Sequence, residues 1–257
     1  MCVHITDTWK KRLPLSAVTR FSLQDFPGRS ACILWLSGCQ MRCSYCHNPE
    51  LALGRGGRIS VDGVLSFLER RKGQLDGVVL SGGECLLSSS VLELARAVKA
   101  MGYLLKVDTN GGYPDRLDTL LKEGLVDYVA MDFKARPGDY ERVTGWGDFA
   151  KWEACYGLLQ ESGIDWELRT TVHSDIVDEQ AVDEMMDFLE SRSFGKTLYL
   201  QLFRQGKTLG NVADMRRRFE LARLCLDRSY EVRFRNFTQA EVNALACGRP
   251  LEVNVTG

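Results

Sequence analysis

The sequence predicts an α/β protein built as a partial TIM-like βα-barrel of about six units. Three observations support this prediction: β-branched apolar runs recur along the chain, a stretch with helical spacing follows each run, and several runs are apolar on both faces. Such alternation favours a parallel sheet with right-handed crossovers. The 257 residues suit an incomplete (β/α)6 barrel better than the eight-unit form, and a doubly wound open sheet is the alternative architecture.

Each predicted strand is a short apolar run that ends at polar or glycine-rich residues. The predicted strands cover residues 31–37, 77–81, 103–109, 126–133, 166–173 and 197–203, with a weaker seventh at 230–234.

The connections between the strands show the spacing of amphipathic helices. Val61, Val64 and Leu68, for example, would share one face of a helix. The predicted helices cover residues 61–72, 90–101, 115–123, 149–162, 178–191 and 212–227.

Composition and charge exclude several classes of protein. Apolar residues make up 45% of the chain, and 33 basic against 34 acidic residues give a net charge of −1, so no positive field indicates a nucleic-acid partner. The longest apolar run, residues 31–36, is too short to cross a bilayer, and residues 1–20 lack the apolar core of a signal peptide. We therefore expect a cytoplasmic protein with no membrane and no nucleic-acid partner.

No linker rich in Ser, Gly or Pro interrupts the alternation, so the sequence predicts one domain over residues 1–257. Its core would span about residues 19–235, with peripheral segments at residues 1–20 and 247–257. The run Arg216-Arg217-Arg218 falls on the last predicted helix, and we interpret it as a solvated helix face.

Nine cysteines are unusual in a chain without an export signal, and clustered thiols in a reducing compartment suggest metal or redox chemistry. Three of them, Cys39, Cys43 and Cys46, lie within eight residues. Five others are scattered, and we expect them to be small buried hydrophobes: Cys2, Cys32, Cys155, Cys225 and Cys247.

Polar and glycine-rich residues collect where the predicted strands end. Ligands of parallel α/β proteins bind beyond the carboxyl ends of the strands. The residues in these positions are the cysteine loop, Gly82-Gly83-Glu84, Asp108, Asp132 with Lys134, and Gln201 with Arg204. Their joint placement predicts a single site.

The spacing Cys39-x3-Cys43-x2-Cys46 supplies three thiolates from one loop. A structural zinc site normally has four ligands, so zinc would also need His47 or a distant cysteine. Four irons held by three thiolates would instead leave one iron open to an exogenous ligand. The residue types alone leave both sites open.

This cysteine spacing, with aromatic Tyr45 before the last cysteine, resembles the signature of the radical S-adenosylmethionine (SAM) superfamily, and Gly82-Gly83-Glu84 extends the resemblance. Four segments resemble the glycyl-radical-enzyme activating enzymes more narrowly: SLQDFPG at 22–28, CSYCHNPEL at 43–51, DTNG at 108–111 and DYVAMDFK at 127–134. The best fit is to the activators of anaerobic ribonucleoside-triphosphate reductase, in the branch close to the pyruvate formate-lyase activators. The resemblance spans residues 19–204.

The resemblance implies an oxidoreductase in which the three cysteines hold one [4Fe-4S] cluster whose open iron binds SAM. One-electron reduction would cleave SAM to methionine and a 5′-deoxyadenosyl radical, which would take a hydrogen atom from a glycine of a partner enzyme. Flavodoxin or ferredoxin is implied as the electron donor. The protein would position the radical and exclude competing reactions.

The resemblance also implies roles for single residues. Tyr45 and His47 would border the adenine, although both could be structural. Gly82 and Gly83 would let the backbone approach the methionine moiety, and Glu84 would accept from its ammonium group or, alternatively, cap a helix.

Carboxylates and cations complete the implied site. Asp108 and Asp132 would border SAM or a monovalent cation. Lys134 would face the carboxylate or ribose of SAM, with a surface salt bridge as its alternative. Gln201 would be a supporting contact, and Arg204 stands where pyruvate formate-lyase activators carry a SAM-contacting histidine.

Two further departures from the family pattern shape the prediction. Cys85 replaces the proline of Gly-Gly-Glu-Pro, and we expect it to be a packed small side chain. No additional Cys-x2-Cys run is present, so we predict one cluster and about four irons per chain after anaerobic reconstitution.

Three alternatives to activation of the ribonucleotide reductase remain open at this stage. The chain could activate a pyruvate formate-lyase-like enzyme, or act as a radical SAM enzyme on a small molecule. From another class, it could be a zinc-stabilised binding module with structural cysteines.

Overall fold

The computed structural model describes residues 8–246, so Cys2, Cys247 and the expected C-terminal segment 247–257 lie outside the described residues. The strands are β1 (Leu15–Ser22), β2 (Ala31–Leu36), β3 (Gly77–Gly82), β4 (Leu104–Thr109), β5 (Tyr128–Asp132), β6 (Asp165–Val172), β7 (Thr197–Leu202) and β8 (Glu231–Arg235). The α-helices are α1 (Thr8–Arg12), α2 (Pro49–Ala52), α3 (Val61–Arg71), α4 (Val91–Ala100), α5 (Pro114–Lys122), α6 (Tyr140–Thr144), α7 (Phe149–Glu161), α8 (Glu179–Glu190) and α9 (Gln239–Asn243).

The order of hydrogen-bonded strands follows the chain, from β1 to β8. The pairs β2–β3, β3–β4, β6–β7 and β7–β8 are parallel, whereas β1 runs antiparallel to β2. A doubly wound sheet would reverse its strand order at a switch point. The observed order contains no such reversal and confirms the predicted α/β class with successive βα units.

The seven predicted strands are all present, with bounds shifted by at most two residues at an end. Five of the six predicted helices are present as α3, α4, α5, α7 and α8. Strand β1 was not predicted. Exposed and half-exposed residues follow its buried start at Leu15 and Ser16, so it lacks the continuous apolar run that identifies a covered parallel strand. Its pairing with β2 and the buried Leu13 and Leu15 place part of the expected N-terminal peripheral segment against the sheet.

The prediction of a helix at residues 212–227 is wrong; a single 3-10 turn at Leu221–Arg223 lies within this stretch. Backbone N–H groups that would bond inside a helix donate instead to side-chain carboxylates of residues 175–183. The three bonds are Arg216 to Asp175 at 3.1 Å, Glu220 to Glu179 at 2.8 Å and Cys225 to Asp183 at 2.9 Å. Tertiary hydrogen bonds therefore outweigh the helical pattern here.

The arginine run consequently does not lie on a helix face. Arg217 forms an ion pair with Glu179, and the Arg218 guanidinium lies 2.7 Å from the Glu241 carboxylate. These two side chains are engaged within the chain.

The chain divides into two compact units, and the single-domain prediction stays a prediction. The first unit contains described residues 8–40, 48–130 and 150–165. One of its core clusters joins Phe26 with the buried strand residues Ala31, Ile33 and Val79.

The second unit contains residues 41–47, 131–149 and 166–246. Aromatic rings form much of its core. Phe188 lies 5.6 Å from Phe133 and 5.8 Å from Phe149, and Phe194 packs edge-on against Trp166 and Tyr230. Among residues 8–246, no helix has both the length and the apolar composition needed to cross a bilayer.

Candidate functional site

The predicted site residues fall into two groups, one in each unit. The first group contains Cys39, Gly82, Gly83, Glu84 and Asp108. The second group contains Cys43, Tyr45, Cys46, His47, Asp132, Lys134, Gln201 and Arg204.

In the first unit, the segment after β2 runs beside the glycines that end β3. Gly83 N donates to Leu36 O at 2.9 Å, and Glu84 N donates to Gly38 O at 2.8 Å. Gly82 has φ +131°, and a Cβ atom there would lie 2.0 Å from Leu36 O. A Cβ on Gly83 would lie 2.3 Å from Gly38 O and 3.3 Å from Cys39 Cβ. The glycines are therefore required for close backbone approach to the first cysteine.

Glu84 is buried and joins two loops through its carboxylate. One oxygen accepts from Leu86 N and Thr109 Oγ1, each at 2.9 Å, and the other accepts from Asn110 N at 2.6 Å. Glu84 thus caps the 3-10 turn Cys85–Leu87, as in the alternative reading of its role. The SAM-ammonium contact stays a prediction.

We expect Glu84→Ala to lower the free energy of unfolding by about 3 kcal/mol, because three donors would lose their acceptor in a buried place. Urea denaturation measures the change. The control is Glu69→Ala. Glu69 lies in α3, and its exposed carboxylate pairs with Lys72 just after the helix, so its removal should lower the free energy of unfolding by about 0.5 kcal/mol or less. Equal losses in the two variants would contradict the role of Glu84.

Asn110 connects this loop to the first cysteine. Its Nδ2 lies 3.5 Å from Cys39 Sγ, and its side chain exchanges hydrogen bonds with Gln40 at 2.9 and 3.3 Å. Its Oδ1 also accepts from Gly112 N at 3.0 Å. No local pattern indicates this role for Asn110, because an Asn-Gly dipeptide is typical of a turn and carries no sign of what its side chain contacts.

Asp108 is paired with Lys106, two residues earlier on the same face of β4. Cys85 is fully buried, as expected, and its Sγ donates to Asp108 O at 3.2 Å. Burial, followed by the Glu84 and Asp108 carboxylates, raises the pKa of Cys85 well above its usual value. These contacts identify Cys85 as a packed thiol.

In the second unit, backbone hydrogen bonds hold the loop of the other two cysteines. Cys46 N donates to Cys43 O at 3.1 Å, and Leu209 N donates to Cys46 O at 3.0 Å. Gly210 N donates to Ser44 O at 2.7 Å. Residues 209 and 210 thus hold the backbone of the loop at Ser44 and Cys46.

The buried Cys43 and Tyr45 interact electrostatically with the half-buried Lys134. Burial raises the pKa of the Cys43 thiol, and the Lys134 ammonium opposes this effect. The same ammonium lies 6.0 Å from the centre of the Tyr45 ring. Burial also raises the pKa of Tyr45, so its phenol is neutral, and no group among residues 8–246 hydrogen-bonds to its hydroxyl.

Asp132, at the end of β5, contacts two cations. Lys134 Nζ lies 3.0 Å from one carboxylate oxygen, and Arg169 Nε lies 3.1 Å from the other. Burial acts to lower the pKa of Lys134, but the Asp132 carboxylate together with the nearby Tyr45 and Cys43 outweighs this effect and raises the pKa, so Lys134 stays protonated. Both side chains are half-buried, so Lys134 forms the salt bridge of its alternative role below the open surface, and its contact with SAM stays a prediction.

The remaining predicted residues lie further along the second unit. His47 is exposed and stacks on Phe203, with ring centres 5.1 Å apart. The Gln201 side chain accepts from Arg235 at 3.3 Å, and Arg235 also pairs with the buried Glu167 at 3.1 Å. Arg204 is exposed. Cofactor contacts by His47, Gln201 and Arg204 stay predictions.

Sequence reasoning missed Lys106, Asn110 and Arg169. For Lys106 a signal existed, since it is the single charged residue between apolar Leu104, Leu105 and Val107. No local pattern identifies Arg169, because its contact with Asp132 depends on tertiary placement.

The donor set suits an iron–sulfur cluster. Cys39, Cys43 and Cys46 lie within eight residues and none of them forms a disulfide, and thiolates are the usual ligands of such clusters.

The other described cysteines were predicted to be packed. Cys32 and Cys155 are fully buried, and burial raises their pKa values to about 11 and about 12. The prediction for Cys225 is wrong, because its side chain is exposed. In the non-helical segment, Leu221 and Leu224 occupy the buried positions instead.

A family model described as the radical SAM superfamily matches residues 33–190, a stretch that contains all three clustered cysteines. The chain belongs to the radical SAM superfamily. This membership implies a [4Fe-4S] cluster and SAM, which agrees with three clustered cysteines that form no disulfide, and it favours the cluster over the zinc alternative.

Two relatives indicate which kind of radical SAM enzyme the chain resembles. A Methanocaldococcus jannaschii protein assigned by name to the glycyl-radical enzyme activating enzymes is 31% identical over 177 residues, covering 66% of this chain and 73% of its own length. The pyruvate formate-lyase-activating enzyme of Clostridium pasteurianum is 33% identical over 140 residues, covering 52% of this chain and 58% of that enzyme. These homologues confirm the predicted enzyme class.

Solved structures share the fold at low sequence identity. Streptococcus suis SuiB bound to S-adenosylmethionine has a TM-score of 0.57 and 12% identity, over 76% of this chain and 48% of SuiB. Methylornithine synthase (PylB) has a TM-score of 0.55 and 12% identity, over 75% of this chain and 59% of PylB. At this identity the likeness supports the radical SAM fold alone.

Proposed function

We propose that the chain is a radical SAM activase that binds a [4Fe-4S] cluster through Cys39, Cys43 and Cys46 and installs a glycyl radical in a partner enzyme. The main support is the backbone contact between the Cys39 segment and Gly82–Glu84, because it places the first cysteine of the signature beside the two glycines. When bound, the cluster and SAM supply one-electron cleavage of the sulfonium, which ends with a hydrogen atom removed from the target.

The chain's own residues would bind and orient SAM. Gly82 and Gly83 present backbone without side chains, which allows close approach of the methionine moiety. Lys134, protonated beside Asp132, offers a positive charge to the carboxylate or ribose of SAM. The buried Tyr45 and the exposed His47 would border the adenine, with Gln201 and Arg204 as outer contacts.

Asp108 and Asp132 resemble the strand-end carboxylates that border SAM or a monovalent cation in the activating enzymes, so we include a monovalent cation in the proposal. Each of the two carboxylates contacts a cationic side chain of the chain itself. A monovalent cation at either carboxylate would therefore compete with the lysine side chain that already pairs with it.

Anaerobic ribonucleoside-triphosphate reductase is the proposed target, on the strength of the sequence motifs. A pyruvate formate-lyase-like target is the second candidate, because the relatives include a Clostridium pyruvate formate-lyase-activating enzyme. Flavodoxin or ferredoxin would supply the electron. We place the reaction in the cytoplasm, where a reducing environment keeps the three cluster thiols free.

The test uses the full chain, reconstituted anaerobically with iron and sulfide and then reduced. It is mixed with SAM and either the large subunit of an anaerobic ribonucleotide reductase or a pyruvate formate-lyase. We expect a glycine-centred doublet in the electron paramagnetic resonance spectrum with one of these partners. A partner whose radical-bearing glycine is replaced by alanine is the matched control and should give no doublet.

Release of 5′-deoxyadenosine is measured in the same samples. Cleavage of SAM without a glycyl signal from either partner would contradict activation and support a small-molecule substrate. No cleavage by a fully reconstituted protein would contradict the radical SAM activity itself.

A further inference from the structure

Lys106 is a buried cation in the middle of an apolar strand. It lies in β4 between Leu105 and Val107, and only 3% of its side chain is exposed. Lysine is almost never fully buried unless it is paired, because removing its charge from water is costly. The position therefore requires a compensating group.

That group is the carboxylate of Asp108, which forms an ion pair with the Lys106 ammonium. The side chain of Asp108 is 13% exposed, so solvent screens the attraction between the two charges only weakly. The Tyr128 ring adds a weaker contact, with Lys106 Nζ 5.9 Å from its centre. Residues i and i+2 of a strand share a face, so the backbone of β4 holds the pair together.

The other acidic side chains among the predicted site residues are also engaged. Glu84 accepts three hydrogen bonds from Leu86, Thr109 and Asn110. Asp132 contacts Lys134 at 3.0 Å and Arg169 at 3.1 Å, so these three side chains together carry a net positive charge. Neither Asp108 nor Asp132 is a bare carboxylate that would recruit a cation from solution.

We propose that the Lys106 ammonium serves as a built-in monovalent cation at Asp108, so that SAM binding by this chain requires neither potassium nor sodium. An ammonium group and a potassium ion carry the same charge and are similar in size, and the lysine stem fixes the ammonium beside the carboxylate. The consequence for SAM rests on the proposed function, whereas the cation occupancy of Asp108 does not.

The first experiment measures cation binding and needs no SAM. Thallium NMR of the reconstituted full chain reports monovalent cations, and the melting temperature is compared in potassium and in choline buffers. We expect no stoichiometric thallium site in the wild type and the same melting temperature in both buffers. One tightly bound thallium ion per wild-type chain would overturn the proposal.

The variant Lys106→Met removes the ammonium and keeps the apolar stem. We expect it to melt lower than the wild type in choline and to recover partly in potassium or ammonium, because either ion can enter beside Asp108. The control is Lys99→Met, because Lys99 also forms an ion pair, with its Nζ 2.6 Å from the Asp127 carboxylate, and neither residue is a predicted site residue. It should lose stability without cation rescue.

The second experiment measures SAM affinity by equilibrium dialysis. We expect the wild-type dissociation constant to differ less than about twofold between potassium and choline, and that of Lys106→Met to weaken about tenfold in choline and to recover in potassium. A wild type that gains tenfold in affinity from potassium would contradict the proposal.

If Lys106→Met does not fold, Lys106→Arg replaces it in the experiment. This variant keeps the positive charge, so its SAM binding should be independent of potassium. Potassium-dependent binding by this folded variant would count against a charge-based role. If the wild type binds no SAM in any buffer, the proposed function fails, while thallium binding and melting still decide the cation question.

Discussion

Replacement of Cys43 by alanine is expected to remove the iron–sulfur cluster and all cleavage of SAM. Only Cys39 and Cys46 of the signature would remain, and two thiolates cannot hold the three irons that the motif serves. Iron should fall from about four per chain to near zero after reconstitution, with loss of the charge-transfer absorption and of 5′-deoxyadenosine release.

The control for Cys43→Ala is Cys32→Ala, which removes a thiol of similar burial from β2. It should keep about four irons per chain, although a small cavity in the core will lower its stability. Circular dichroism verifies that both variants are folded. A folded Cys43→Ala protein that retains iron and cleaves SAM would refute the ligand assignment.

Gly83→Ala is expected to give the second large effect. The new Cβ would lie 2.3 Å from Gly38 O and 3.3 Å from Cys39 Cβ, and backbone atoms cannot move away as a flexible side chain can. We expect a loss of about 3 kcal/mol in the free energy of unfolding and at least about tenfold weaker SAM binding, because the segment before the first cysteine is displaced.

Gly157→Ala is the control for this substitution. Gly157 lies within α7, and a Cβ there would meet no atom within 4 Å. Alanine should be neutral or stabilise the helix by up to about 1 kcal/mol. Urea denaturation and equilibrium dialysis of SAM compare the two variants. Equal free energies of unfolding and equal SAM affinities in the two variants would show that close packing at Gly83 is not needed.

The alternation of apolar runs and helical spacing was sufficient to predict the α/β class, because covered parallel strands and amphipathic helices bury local, periodic patterns. It failed where burial does not follow a local pattern. Strand β1 has few buried residues, and residues 212–227 give their backbone donors to Asp175, Glu179 and Asp183 instead of to one another.

The site divides in the same way. The three cysteines and Gly82-Gly83-Glu84 are contiguous motifs, so their chemistry can be recognised from residue types and spacing alone. The contacts of Asn110 with Cys39 and of Arg169 with Asp132 join residues 71 and 37 positions apart. No local pattern encodes such contacts, because they depend on where separate strands end.

The sequence by itself determined the superfamily, the motif of three clustered cysteines and the alternation of strands and helices, since each is a local arrangement of residue types. Only the tertiary structure decided how the charges of the site are balanced. Lys106 could be seen in the sequence as a cation in an apolar strand, but its burial and its pairing with Asp108 required the packed sheet. The energy of a buried charge depends on the surrounding atoms, and those come from several parts of the chain.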